Sequence, residues 1–344
     1  MTSVRRCWPW RGATNPMPAR KKLLAAVQRA AEILRSGGLV VFPTETVYGL
    51  GADAESPAAV ARIFAAKGRP ADHPLIVHMA RHDHLNQWSR DIPPAAFVLA
   101  RRYWPGPLTL ILHRACRVPD GVTGGQDTVG LRVPDHPLAL MLLEAFGGGI
   151  AAPSANRFGQ VSPTTVAHVR EELGDAMDFI LDGGPCRVGI ESTILDLSGH
   201  QPRLLRPGAI TLAEIEAVLE QSVISQGNDA LRAPGMLRSH YAPRTPLYLV
   251  RTGLLKAEIC WRIRQGQRIG VLAMPATQLP ESCLRHHMPP HPAGWARELY
   301  AQLRALDQQA LDGLLIEAPP SGADWQAVSD RLVRAASAHT ALRF

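Results

Sequence analysis

Short apolar runs with the reach of buried strands recur along this chain, and most are separated by segments with helical spacing. That alternation excludes an all-helical bundle and an all-β sandwich, and it demands helices layered on a sheet. Leu39 to Phe42 is the first run, preceded by Leu23, Leu24, Val27, Ala31 and Leu34 at helical spacing and by the stop Gly37-Gly38. Ser56 as a cap and Pro57 at the first position open a helix to Ala66, and Pro74 to Met79 follows as a strand. Helices over Pro94 to Tyr103 and Leu138 to Phe146 alternate with strands over Leu108 to His113, Thr128 to Val133 and Ile150 to Pro153, and Ser162-Pro163 caps a helix ending near Gly174. Then the rhythm breaks. Phe179 to Leu181, Thr193 to Leu197 and Arg203 to Leu205 succeed one another with no helix between them, which predicts a mixed sheet rather than a parallel one.

With 344 residues, 46% of them hydrophobic, the chain has room for two such units. Residues 1 to 19 are aperiodic and read as a disordered leader, and 20 to 220 form the sheet-bearing unit, closed by a helix from Leu212 to Leu219. Residues 221 to 245 lose periodicity and act as a linker. From 246 to 344, strands Leu247 to Val250, Ile269 to Ala273 and Leu314 to Glu317 alternate with helices near Leu254 to Arg264, Ala296 to Gln309 and Trp325 to Ala336. These three βα units predict a small Rossmann-like α/β domain, and without Gly-x-Gly-x-x-Gly at a strand end they do not predict dinucleotide binding.

Cys7, Cys116, Cys186, Cys260 and Cys283 are an odd set with no close pair, which argues against a disulfide framework or a Cys-x-x-Cys knuckle and for a reducing, cytoplasmic setting. No apolar stretch reaches the length of a membrane span, so no membrane partner is expected. The net charge of +7 favours an anionic partner such as a nucleotide, but the longest basic run is Arg20-Lys21-Lys22, which supports weak RNA binding at most. His286, His287 and His291 stand among Pro289, Pro290 and Pro292 with no ligand-spaced Cys or carboxylate, as in a surface loop rather than a zinc site.

Three strings then supply polar chemistry. Pro43 to Gly51 follows the first strand and carries Thr44, Glu45, Thr46 and Tyr48, more polar capacity than a turn relieved by Gly49 and Gly51 needs; Glu45 can answer an amine. In Lys67-Gly68-Arg69-Pro70 the two cations sit just past a helix, where they either offset its dipole in solvent or converge on one anion. Ser154-Ala155-Asn156 places neutral donors at another strand end. Fixed cations for phosphate and neutral donors for a second reactant are the groups needed to hold a nucleoside triphosphate without a Walker loop. Arg132 stands on an otherwise apolar strand and must be either ion-paired or bound to an anion, because an unpaired buried charge is very costly. His78 alone reads as a satisfied strand-end histidine. Pro234 to Pro243 is too rich in Met236, Arg238, His240 and Tyr241 for a passive spacer, which predicts a lid. With no Gly-x-Ser-x-Gly and no cysteine in a catalytic setting, no covalent enzyme intermediate is expected.

In this order and spacing the three strings resemble the L-threonylcarbamoyl-AMP synthase family, also called YrdC-like, in its long two-domain form. The resemblance covers roughly residues 20 to 344. It implies a YrdC-like twisted mixed sheet with helices on its faces, followed by the small Rossmann-like domain. It also implies that threonine and bicarbonate form a carbamate that attacks ATP, with Mg2+ held by substrate oxygens and not by protein ligands, and a product passed to a separate tRNA threonylcarbamoyl-transfer complex. Carried over by position, Lys67, Arg69, Ser154 and Asn156 are the catalytic set. Thr46, His78, Arg132, Asn156 and Ser192 meet threonine. Lys67, Arg69, His73, Thr128, Ser154, Thr164, Arg206 and Tyr241 meet ATP, although His73 departs from the Asn or Asp usual there. A non-catalytic RNA-binding or ribosome-associated protein of the same fold is the rival reading. The related carbamoyl-adenylate domain of hydrogenase maturation would bring Cys pairs that are absent here.

Overall fold

The computed structural model describes residues 17–225, 231–237 and 239–337. The expected leader thus falls largely outside the described residues, as does Arg238. The first helix, Met17–Arg35, takes in the leader's last three positions.

Nine strands form the first sheet among the described residues: β1 Val40–Phe42, β2 Gly49–Asp53, β3 Ile76–His78, β4 Leu108–His113, β5 Thr128–Arg132, β6 Ile150–Ala151, β7 Phe179–Ile180, β8 Thr193–Asp196 and β9 Arg203–Arg206. Their order is β7-β1-β2-β6-β3-β5-β4-β8-β9. Parallel and antiparallel pairs mix, as the helix-free succession of β7, β8 and β9 predicts: β3 runs parallel to β5 and β4 to β8, while β1 and β2, β4 and β5, and β8 and β9 are antiparallel. The two-residue period divides the apolar side chains between faces. Val41 joins Val60, Ile63 and Leu99 on one side, whereas Val40 and Phe42 join Val27, Leu34 and Leu142 on the other, so helices cover both.

The Pro43 to Gly51 string does not stay a loop, because its last three residues begin β2, antiparallel to β1. A Cβ at Gly51 would stand 2.7 Å from Ile150 and 2.8 Å from the Phe42 ring, so glycine here serves close strand packing rather than a turn. The helix Pro57–Lys67 is capped as expected by Ser56, whose hydroxyl accepts from Ala59 N, but it runs through Lys67 and stops at Gly68 in the left-handed region (φ 60°). Ser162 does not cap the next helix. Thr165 does, accepting from His168 N, and the helix is Val166–Leu173, so Thr164 lies outside it rather than just inside its N-terminus. The Ser162 hydroxyl is committed elsewhere, to Glu191.

The second sheet runs β10-β13-β11-β12, all parallel, with β10 Leu247–Val250, β11 Ile269–Ala273, β12 Leu284–His287 and β13 Gly313–Glu317. β12 replaces the expected histidine loop. It is an edge strand with three of four residues exposed, so it lacks the apolar alternation by which strands are recognised. His286 stands 3.5 Å from Glu298, and His291 caps the helix Pro292–Asp307 by accepting from Gly294 N.

The two units share a core. Val47, Val161 and Ile190 of the first pack in one cluster with Tyr241 and with Trp295, Leu299 and Tyr300 of the second. At Gly189 (φ 84°) a Cβ would lie 2.4 Å from the Ala296 carbonyl oxygen and the Arg297 Cα, so the helix Pro292–Asp307 comes closer there than any side chain allows.

Candidate functional site

One cavity opens between the first sheet and Pro234, Gly235, His240 and Tyr241, with the second unit packed behind it. Its wall includes Thr46, Arg69, His78, Arg132, Ser154, Ser192, Arg206 and Tyr241, eight of the residues named from the sequence.

The fold brings each of them there by a local device. The Thr44 hydroxyl accepts from Thr46 N and Val47 N and donates to the Val47 carbonyl, a tight turn that holds the Thr46 hydroxyl 3.0 Å from Arg132 Nη2. Parallel pairing of β3 and β5 sets His78 opposite Arg132. Arg132 donates from Nε to the Gly106 carbonyl and lies 2.7 Å from the buried Glu45 carboxylate. So the arginine is ion-paired and also faces the cavity. The two readings of that residue are compatible.

Arg206 at the end of β9 donates to the Ser192 carbonyl (3.0 Å), the Ser192 hydroxyl (3.1 Å) and the Pro234 carbonyl (2.9 Å). Arg69 donates to the Pro74 carbonyl at 2.9 Å and lies over the Phe158 ring. Burial lowers the Arg69 guanidinium to about 10, which leaves it charged at neutral pH. Its Nε, the Tyr241 hydroxyl and the Nδ1 atoms of His78 and His240 are buried with no hydrogen-bond partner among the described residues. Buried polar atoms are nearly always satisfied, so these four in one wall are groups left for a ligand or water to satisfy.

Five named residues do not line this cavity. Lys67 Nζ turns to the Ser154 and Asn156 carbonyls, and Asn156 Nδ2 donates to the Arg157 and Gln160 carbonyls at 2.8 and 2.9 Å. Both stand one layer behind Ser154. Thr164 is buried beside His168, with its amide 3.3 Å from Nδ1, His73 packs on Phe158 at 5.2 Å between ring centroids, and Thr128 pairs with His113 in the sheet. Helix and strand periodicity does not say which way these groups turn.

Glu191, Pro234, Gly235 and His240 also line the cavity. The second unit contributes behind them: Arg304 reaches the Val161 carbonyl, and Arg334 donates to the Met236 and Leu237 carbonyls at 2.9 and 2.7 Å. One sign of this was present in the sequence. Arg331 interrupts a helical stripe of Ala327, Val328, Leu332 and Ala335, and a cation on an apolar face must find a partner.

Burial, reinforced by Arg132, pushes the His78 imidazole down to about 3, and burial likewise takes His240 to about 3. Both are neutral in the folded protein, whereas an unfolded histidine takes a proton near 6.5. Their stabilisation is therefore complete above pH 6.5 and is lost as pH falls from there towards 3. The unfolding temperature should start to fall near pH 6.5, before carboxylates titrate, and His78→Gln with His240→Gln should flatten that limb. An unfolding temperature constant from pH 7 to 5 would refute this.

The sequence profile of the family described as Telomere recombination matches residues 32–208, and that of the Threonylcarbamoyl-AMP synthase C-terminal domain matches 210–337. The chain is 41% identical to the threonylcarbamoyl-AMP synthase of Pyrococcus abyssi, over 90% of this chain and 93% of the relative. It is 41% identical to that of Bacillus subtilis, over 90% and 92%. A crystal structure of Pyrococcus abyssi Sua5 complexed with L-threonine superposes with a TM-score of 0.86 at 40% identity, covering 92% of this chain and 95% of that one.

Proposed function

The chain belongs to the threonylcarbamoyl-AMP synthase family in its two-domain form, and from that premise we propose how its cavity joins L-threonine, bicarbonate and ATP into threonylcarbamoyl-AMP and pyrophosphate. The observation that carries this assignment is the meeting of two kinds of group in one wall: Arg69, Arg206 and Ser154 suited to phosphate, and Arg132, His78, Thr46 and Ser192 suited to an amino acid.

In this reading Arg132 receives the threonine carboxylate beside the Thr46 hydroxyl. The amine has added to bicarbonate, with loss of water, as a carbamate, and a carbamate oxygen attacks the α-phosphorus while pyrophosphate leaves. Arg69 and Arg206 balance the charge that grows on the phosphoryl oxygens, and neutral His78 orients the amino acid without repelling the nearby guanidinium. Such a displacement calls for position and charge, and no protein nucleophile takes part.

Among the described lining residues the only carboxylate is Glu191, which is held by Ser162, Tyr300 and Arg331, so the cavity offers no protein cage for magnesium. Mg2+ enters only as a companion of the triphosphate oxygens. Pro234, Gly235, His240 and Tyr241, the last buried at the wall, cover the nucleotide and keep water from the mixed anhydride. The product then passes to a separate complex that completes the tRNA modification, and the +7 charge allows weak RNA contact.

Pyrophosphate release measured with all three substrates, and with each omitted in turn, tests the assignment. Release should require threonine, bicarbonate and ATP together. Release that persists without threonine, or no release at all, would favour a different reaction or a non-catalytic RNA-binding protein.

A further inference from the structure

Glu191 puts a carboxylate into the wall of a cavity otherwise furnished for anions, with Arg69, Arg132 and Arg206 as its cations. Left alone, that charge would oppose an incoming triphosphate. It is not left alone. Ser162 Oγ donates to Oε1 at 2.6 Å, and Tyr300 Oη and Arg331 Nε donate to Oε2 at 2.8 Å each. Among the described residues Arg331 supplies the only guanidinium hydrogen-bonded to this carboxylate.

Arg331 is itself tightly held. It donates to the Pro207 carbonyl at 3.0 Å and to Asp330 at 2.6 Å, its guanidinium lies 5.3 Å from the Tyr241 ring centroid, and its side chain has no exposed surface. It lies on the helix Gln326–Ser337 and Tyr300 on Pro292–Asp307, both in the second unit, whereas Glu191 and Ser162 belong to the first. Burial pushes the Glu191 carboxyl up, but Arg331 and Arg206 outweigh it and hold it near 2, so the anion persists at neutral pH.

We propose that Arg331 is a positioning residue for the nucleotide: by pairing with Glu191 it cancels the negative charge the wall would otherwise turn towards the phosphates, so that the docked second unit completes the electrostatics of the site without touching a reacting atom. This rests on the reading that the cavity takes ATP. It also gives a role to one of the ion pairs that join the second unit, whose own strand ends carry no recognised site, to the first. Without Arg331, Glu191 keeps the Ser162 and Tyr300 hydroxyls as donors and Arg206 nearby to hold it ionised, whereas removing both partners leaves a neutral contact.

The test is ATP binding by the full chain, by calorimetry, together with the apparent KM values for ATP and threonine. Arg331→Met should weaken ATP binding by roughly tenfold or more and raise the KM for ATP more than that for threonine. Arg331→Lys, which keeps the charge, should fall between Arg331→Met and the natural chain. Glu191→Gln combined with Arg331→Met should bring ATP affinity back to within about threefold of the natural chain, and this double variant decides the matter even if Arg331→Met alone does not fold. A double variant that binds ATP as poorly as Arg331→Met, or an Arg331→Met chain that binds ATP normally, overturns the proposal and leaves the assignment of the cavity intact. Failure of the natural chain to bind ATP overturns that assignment and the proposal with it.

Discussion

Lys67→Ala should reduce pyrophosphate release at least a hundredfold, although its ammonium does not face the cavity. Lys67 is 3% exposed, and its Nζ ties together the Ser154 and Asn156 carbonyls, the backbone of the loop that presents Ser154 to the wall. Burial and the neighbouring Arg69 both push its proton off, against the pull of Glu172. A hydrogen bond to a charged group is worth about 1.5–3 kcal/mol, and two buried carbonyls would be left unsatisfied together. At 1.4 kcal/mol per factor of ten, the loss exceeds about a hundredfold if the loop must stay in place for turnover. Most of it should appear in kcat, because Arg69 and Arg206 remain to bind phosphate. Lys67→Arg should not rescue, since a guanidinium is too large for a fully buried ammonium site. A folded Lys67→Ala chain with kcat within threefold of the natural one would show that the loop holds its place without the lysine.

The second large effect is expected at Arg132. Arg132→Ala removes the partner of Glu45, which is 1% exposed and whose carboxylate has no other polar partner among the described residues, and breaking a buried pair in this way costs about 3–5 kcal/mol. Loss of stability and of threonine binding should therefore appear together. Arg132→Lys separates them. It keeps a cation beside Glu45 but cannot at once reach Gly106, Thr46 and a substrate carboxylate, so the KM for threonine should rise well above that for ATP while the fold persists. If the folded Arg132→Lys chain has an unchanged KM for threonine, Arg132 serves Glu45 alone.

Local pattern was enough to place most elements. Pro94–Tyr103, Leu108–His113, Leu212–Leu219, Leu247–Val250 and Ile269–Ala273 form with the ends their periodicity predicts, because spacing and caps report burial along one segment at a time. Elements without that signal were not legible: the exposed edge strand Leu284–His287, and Gly49–Asp53, whose glycines read as a turn. The helix after Thr165 was misplaced because two hydroxyls competed for the cap and only the fold gives Ser162 to Glu191.

The sequence by itself determined the alternation that builds two α/β units, the mixed character of the first sheet, and the three strings that identify the family and supply part of the cavity wall. Tertiary structure alone decided which polar groups face that wall. Lys67 and Asn156 belong to those strings, yet Lys67 turns inward to the Ser154 and Asn156 carbonyls and Asn156 to those of Arg157 and Gln160. Glu191 meets Arg331 across 140 residues of chain in a pair that no local window contains. The reason is physical: periodicity records whether a residue is buried, whereas the partner of a buried charge is set by which elements pack together, and a charge taken out of water must find that partner wherever in the chain it lies.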